Sequence, residues 1–471
     1  MAITTAFDGA SSGYRLELKG LLAGHADSLA ARELKLLWNR SHHLCRNNPA
    51  ALTARNRLVA HWVGEGIKVK WSNKAMQKAW DAFVKDPSID GHGNLYNMEN
   101  LWGSAYFESG EVFTRMIIQR REDCPIPLRL QVIEAEQLDP LYSVAGGIKY
   151  GIQFNEFGKP LSYKFWNRHP YEVNNDLKLL ERISVDAADV LHIFLRERPG
   201  QWRGIPKLTA AMLNIYEMDE LTDATLVRQK AAQAIGWIIK KQSSGALPLL
   251  GGLAEAPTQD QDAVGTKIQK ILPGGIHYLE ADEDFTFAAV DDIGSNLVTL
   301  LEHNWRMIAS CLDVTYEQLT GDLTKVNFSS IRAGLIEFRR RVAMTQQLIF
   351  VTLALGPLTK RFQELAALYI SESAAGATCR FVFPKTEWVD PLKDAQADIA
   401  EIRAGLATLE DKLGERGVED IESHIARLAK EQGYDIVLDT NPKHNTQDKT
   451  QVTDPAQQPA NADGTVNKPA N

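Results

Sequence analysis

The stretch from Gly294 to about residue 370 restricts the fold more than any other part of the chain. Leu297, Leu301, Trp305, Ile308 and Leu312 recur at steps of four, four, three and four, which lays one apolar stripe along a helix. The next residues, "DVTYEQLTGDLTKVNFSS" from Asp313 to Ser330, are polar and contain a glycine, so they read as a loop. A second helix then begins at Ile331, with Leu335, Phe338 and Val342 on one face, and runs for about 40 residues. That exceeds the usual helix length. A kink is expected near Gly356-Pro357, where proline removes a backbone donor.

The whole chain has 471 residues, too many for one simple core, and two to four domains are expected. It is 44% hydrophobic and 24% charged, the balance of an ordinary globular protein. No run of eighteen purely apolar residues occurs, so no membrane span and no membrane partner are expected. The first twenty residues lack a basic segment followed by an apolar one, so no secretory signal is expected. Cys45, Cys124, Cys311 and Cys379 are scattered without paired spacing, which suits a reducing compartment and argues against a disulfide framework. The net charge is −8. Phosphate contacts need cations, so most of the surface is not that of a tight duplex binder, although an acidic wall can guide DNA by repelling it.

Elsewhere the pattern is mixed α+β. "RNNPAALTARNRLVAHWVGEGIKVKW", Arg46 to Trp71, places Pro49 in a helical first turn, Leu52, Arg55, Leu58, Val59 and Trp62 at helical spacings, and Gly64 and Gly66 at the end. Ile67, Val69 and Trp71 then alternate with two lysines as a half-buried strand. A helix carries Met76, Trp80 and Phe83 on one face, and residues 96–120 pass from helix to strand at Gly110. "LRLQVIEAEQLDP" (Leu128–Pro140) and "DVLHIFLRE" (Asp189–Glu197) read as strands, and Ile148–Trp166 as a hairpin turning at Glu156–Pro160. Residues 206–232 form a long helix, Ile235–Lys241 a strand, and 242–265 a loop. "CRFVFP" is a short strand, residues 391–435 are short helices, and the composition from Asn441 onward is that of a disordered tail.

The motifs that would signal catalysis fail on context. "GASSG" (Gly9–Gly13) fits the G-x-S-x-G nucleophile pattern around Ser11 but lacks the preceding strand and following helix. His42, His43 and Cys45 lack the second close pair of a structural zinc site and face different sides of a helix, so ordinary packing is expected. In "VGTKIQK" (Val264–Lys270) Thr266 separates Gly265 from Lys267, and no glycine lies five residues before Gly265, so it is no P-loop. Arg339-Arg340-Arg341 reads first as a solvated or inter-subunit helix face and second as a DNA contact. No enzyme activity, cofactor or metal is expected.

Five stretches, in this order, resemble the portal proteins of tailed bacteriophages, specifically the lambda-type family. They are Arg46–Ile67, Gly151–Trp166, "VLHIFLRERPGQWRGIPKL" (Val190–Leu208), "NFSSIRAG" (Asn327–Gly334) and "PKTEWVDPLKDAQA" (Pro384–Ala397). The resemblance implies an α+β portal fold. It would comprise a flexible leader at 1–27, an α/β wing at 28–205, a stem helix at 206–232, a small α/β clip insertion at 233–291 and a second stem helix at 292–312. A tunnel loop would follow at 313–330, then a long kinked helix returning to the wing at 331–390, a helical crown at 391–440 and a tail at 441–471. It further implies a ring of twelve at one capsid vertex of the virion, assembled in the host cytoplasm, through which double-stranded DNA is packaged and ejected. The implied partners are the terminase large subunit, head–tail connector proteins, and the major capsid and scaffold proteins. The implied channel residues are Asp322, Thr324, Lys325, Asn327, Ser329 and Ser330. Arg339, Arg340 and Arg341 would make DNA or inter-subunit contacts, and Lys240, Lys241, Lys267 and Lys270 would lie on the clip's partner surface. Two other readings stand beside this one. They are a hydrolase using Ser11 or a metal, and another phage head adaptor or minor head protein with a different stoichiometry and no channel.

Overall fold

The computed structural model describes residues 24–120, 122, 124–172, 180–234, 238–241, 283–286, 295–324, 328–371, 374, 376–384, 391–409, 412–413, 418 and 421–432. The chain divides into two units, one of 1–64 and 79–375, the other of 65–78 and 376–471.

The first unit opens with α1 (Ala26–Asn47), which buries Leu34, Trp38, Leu44 and Cys45. The Asn48 side chain accepts the Ala50 and Ala51 amides at 2.9 and 3.0 Å, and Pro49 fills the first turn of α2 (Pro49–Trp62). The inward face of α2 is Ala51, Ala54, Leu58, Val59 and Trp62, while Leu52 stays half-buried. Gly64 and Gly66 end it at positive φ. Helix α3 (Lys74–Lys85) runs through the boundary between the units. Its Trp80 and Phe83 pack on Phe362 with ring centroids 4.9 and 5.4 Å apart.

Helix α4 (Leu95–Ser109) starts in an Asn94–Asn97 capping box and ends at Gly110, in the left-handed region. Strand β2 (Glu111–Ile118) follows as the centre of a three-stranded antiparallel sheet, between β3 (Leu128–Ile133) and β8 (Val190–Phe194). The sequence expectation carries β3 to Pro140. It stops at Ile133 instead, and a 3-10 turn, Ala135–Gln137, follows. The second sheet runs in the order β4 (Ile148–Lys149), β5 (Ile152–Phe154), β6 (Pro160–Trp166), β7 (Arg182–Asp186). Phe113 of β2 meets Phe165 of β6 edge-on at 5.2 Å, and Ile133, Leu138, Ile152 and Val185 complete the core they share.

The end of this α/β part is fixed by a buried ion pair. Arg203 and Glu111 are both fully buried and bonded from Nη2 to Oε1 at 2.5 Å and from Nε to Oε1 at 2.9 Å. The amides of Trp202 and Arg203 donate to Asp27, and that of Gly204 to Glu111. A Cβ on Gly110 or Gly204 would strike the opposing backbone, so the two segments meet only as glycines. Lys207 N then bonds Phe107 O at 3.1 Å, holding residues 204–207 against α4. For this reason α5 (Met212–Ala234) begins at Met212 and not at 206.

Strands β9 (Ile238–Lys241) and β10 (Glu283–Thr286) pair antiparallel. Helix α6 (Ser295–Cys311) follows. The expected 313–330 loop is partly helical. Thr315 and Gln318 form a capping box for α7 (Tyr316–Thr320), and α8 (Phe328–Thr345) starts three residues before Ile331. Near the expected kink at Gly356-Pro357 the helix changes character: a π-helical run from Gln346 to Leu355 ends directly before Gly356, with Pro357 in the first turn of α9 (Gly356–Tyr369). By length and composition alone, Arg332–Tyr369 is apolar enough to cross a membrane. Its Ile349, Phe350, Ala354, Leu355 and Leu358 are buried within the first unit, so these apolar positions already serve a protein core.

In the second unit β1 (Lys68–Trp71) pairs antiparallel with β11 (Cys379–Val382), burying Val69 and Trp71. Helices α10 (Pro391–Arg403) and α11 (Ile421–Gln432) follow. Lys412 bridges Asp398 and Glu401 of this unit at 3.2 and 2.6 Å.

Burial alone would push the Glu111 carboxyl up, but the Arg203 guanidinium and the His192 ring outweigh it and hold it below the ordinary carboxylate value. Glu111→Gln strands a buried guanidinium, and we predict a loss of roughly 3–5 kcal/mol in denaturant unfolding. His192 donates from Nε2 to Glu111 and accepts the Tyr163 hydroxyl at Nδ1, as a neutral imidazole. Burial lowers its pKa below the ordinary 6.5 despite Glu111. A lowered folded pKa stabilises the fold above pH 6.5, and this contribution is lost as pH falls. The midpoint should therefore drop more steeply between about pH 7 and 5.5 in the parent than in His192→Gln.

Candidate functional site

Helices α5, α6 and α7 lead to α8, on which Ser329, Ser330 and Arg339, Arg340 and Arg341 stand. The first turns of α5 are anchored: Ile215 and Met218 are buried, and Asn304 of α6 reaches the Met218 sulfur at 3.3 Å. Ile308, Ala309 and Leu312 bury the opposite end of α6. Beyond Met218 contact narrows to a line. Leu221, Thr225 and Gln229, four apart, are half-buried while their neighbours are exposed. Leu226, Val227, Val298 and Leu300 stand 47–64% exposed, an apolar surface that the described residues do not cover.

The loop after α6 is organised by Asp313, which sits at φ 59, a region non-glycine residues seldom enter. Its carboxylate binds Lys207, just before α5, at 3.0 Å, and also pairs with Arg341 of α8. One residue thus ties the α5 entry, the α6 exit and the long helix together. Two further contacts seat this region on α2. Arg57 donates to the Glu317 and Gln318 carbonyls at the end of α7, and Gln346 donates to the Trp62 carbonyl at 2.9 Å. His61 of α2 lies edge-on to Phe338 at 4.7 Å, and burial, then Arg339 and Arg57, lower its pKa.

Among the described residues, the predicted ones stand in separate places. Asp322 accepts the Thr324 amide and hydroxyl in a turn beyond α7. Lys325 and Asn327 lie outside the described residues, as do Lys267, Lys270 and Ser11. Ser329 and Ser330 belong to the first turn of α8, not to a loop, because helix begins at Phe328. Lys240 and Lys241 stand in β9, in register with Asp284 and Glu283. The three arginines do not act as one face. Arg340 is exposed, Arg339 is half-buried near His61, and Arg341 pairs with Asp313 and Glu337. His42, His43 and Cys45 also diverge. His42 bonds Ser109, His43 faces Asn47, and burial pushes the Cys45 thiol up to about 12. Sequence reading missed Asp313, Lys207 and Arg57, whose partners are distant in the chain. The Thr315-x-x-Gln318 spacing was the available sign of α7.

Residues 20–346 match the model of the family described as phage portal protein, lambda family, and the chain belongs to that family. A probable portal protein of Halomonas phage phiHAP-1 is 23% identical over 394 residues, covering 80% of this chain and 73% of the relative. Among solved structures, a chain from the neck of a native gene transfer agent particle computed with C12 symmetry is 14% identical with a TM-score of 0.47, covering 80% of this chain and 90% of that one. An HK97 family phage portal protein from Corynebacterium diphtheriae is 13% identical with a TM-score of 0.33, covering 74% and 94%.

Asp313 offers a test of the junction. Its ion pairs are partly exposed and each is worth little alone. Asp313→Asn tolerates the positive φ and should cost about 1 kcal/mol in denaturant unfolding. Arg341→Ala added to Asp313→Asn should cost less than the sum of the single changes.

Proposed function

We propose that the chain assembles as a ring of twelve at one capsid vertex of a phage virion and serves as the conduit for packaging and ejecting double-stranded DNA. The family match over residues 20–346 carries this reading. The uncovered apolar residues of α5 and α6 agree with it, because a neighbouring copy in a closed ring would bury them. So does the charge: twelve copies at −8 give a ring of about −96 formal charge, and an acidic conduit lets duplex DNA slide without sticking.

In this reading residues 28–205 form the wing and α5 and α6 the stem. The insertion between them, with Lys240 and Lys241 in its β9–β10 pair and Lys267 and Lys270 beyond, is the clip that meets the terminase large subunit and later the head–tail connector proteins. The tunnel loop of 313–330 brings Asp322, Thr324, Lys325 and Asn327 to the channel. Arg340 keeps the DNA or neighbour contact that Arg341, already paired, is less free to make. The long helix leads to a crown in the second unit, and capsid and scaffold proteins surround the wing. ATP hydrolysis belongs to the terminase, and the portal itself needs no cofactor.

Light scattering with negative-stain microscopy tests the assembly. A closed particle of about 630 kDa, twelve times 52.4 kDa, with a central hole is expected. A stable dimer or trimer without a channel would favour another head adaptor or minor head protein. Lys325→Glu should alter DNA retention in packaged heads, measured as DNA per particle, while ring formation is unchanged. Parental retention would remove Lys325 from the channel role.

A further inference from the structure

Away from the helix path, the loop after β6 meets the turn after β3. Glu134 and Glu136 flank the start of that turn and His169 sits in the loop, their ligand atoms all within 4.8 Å of one another. His169 Nε2 is 3.0 Å from Glu134 Oε2. The Glu136 side chain is only 8% exposed and its Oε2 has no hydrogen-bond partner. His42 Nδ1 approaches its other oxygen at 3.5 Å. Glu136 lines a cavity of about 340 Å³ together with Trp38, Asp139, Trp166 and Tyr171. Asp139 is already paired with Lys35 and Arg182, so the charge left without a close cation there is that of the two glutamates.

A desolvated carboxylate oxygen without a donor is costly, and in a folded protein it calls for a water, a proton or an ion. Here a second carboxylate and an imidazole converge on the same point. Calcium and magnesium prefer all-oxygen shells, whereas an imidazole beside carboxylates suits zinc and its neighbours. We propose that Glu134, Glu136 and His169 bind a borderline divalent cation of the zinc class, clamping the loop after β6 onto the turn after β3.

A tetrahedral ion with bonds of about 2.0–2.1 Å spaces its ligand atoms about 3.4 Å apart, so the triad closes by about 1 Å on loading. Glu134 is 66% exposed and can rotate to do this. With Nε2 on the ion the ring carries its proton on Nδ1, and the Tyr171 amide, now 3.2 Å from Nδ1, turns to water, giving up one exposed hydrogen bond. His42 stays as the outer partner that orients Glu136.

The test uses the full chain stripped with EDTA, with zinc chloride titrated by calorimetry and the melting temperature followed in parallel. One zinc per chain is expected, with a raised melting temperature that magnesium does not reproduce. Affinity should fall more than about tenfold in Glu136→Gln and in His169→Ala, and stay unchanged in His43→Ala. His169 lies in a surface loop, so its variant decides alone if Glu136→Gln fails to fold. Equal zinc affinity in the parent and His169→Ala, or no binding up to about 1 mM, overturns the site.

Discussion

The Glu111–Arg203 pair is the interaction on which the rest depends. It joins the first residue of the central strand to the segment that leads into α5, at a point where two glycines let backbones touch. Neither charge reaches water, so the pair holds only with its other hydrogen bonds satisfied. Asp27, His192, the Gly204 amide and the Tyr150 carbonyl complete that set. The ion pair thereby fixes where the α/β part ends and the segment leading into α5 begins.

From that exit the structure passes through a second junction with weaker parts. Asp313 holds Lys207 and Arg341 through partly exposed pairs, at a backbone angle that is itself unfavourable. Ten residues of π-helix follow α8. Interrupted helices often occur where function needs a bend or a change of register.

The sequence made the local features legible. Asn48-Pro49 and the paired glycines marked α2, Gly158 marked the hairpin between β5 and β6, and the stripe from Leu297 to Leu312 marked α6. These signals act within a few residues of the element they define. What escaped was non-local. Nothing near Arg203 announces a partner 92 residues away, and Lys207 meets Asp313 across 106. Glu134, Glu136 and His169 gather only because β3 and β6 pack in one core. The channel-loop residues were placed by resemblance, and of them Ser329 and Ser330 moved into a helix whose start the polar composition concealed.

A reconstruction of the assembled particle by electron cryomicroscopy tests the conduit most directly. Leu226, Val227 and Leu300 should be covered by the neighbouring copy, and residues 321–327 should project toward a central axis. A particle in which those side chains face solvent and residues 321–327 lie on the outer rim would contradict a portal channel built from this helix path.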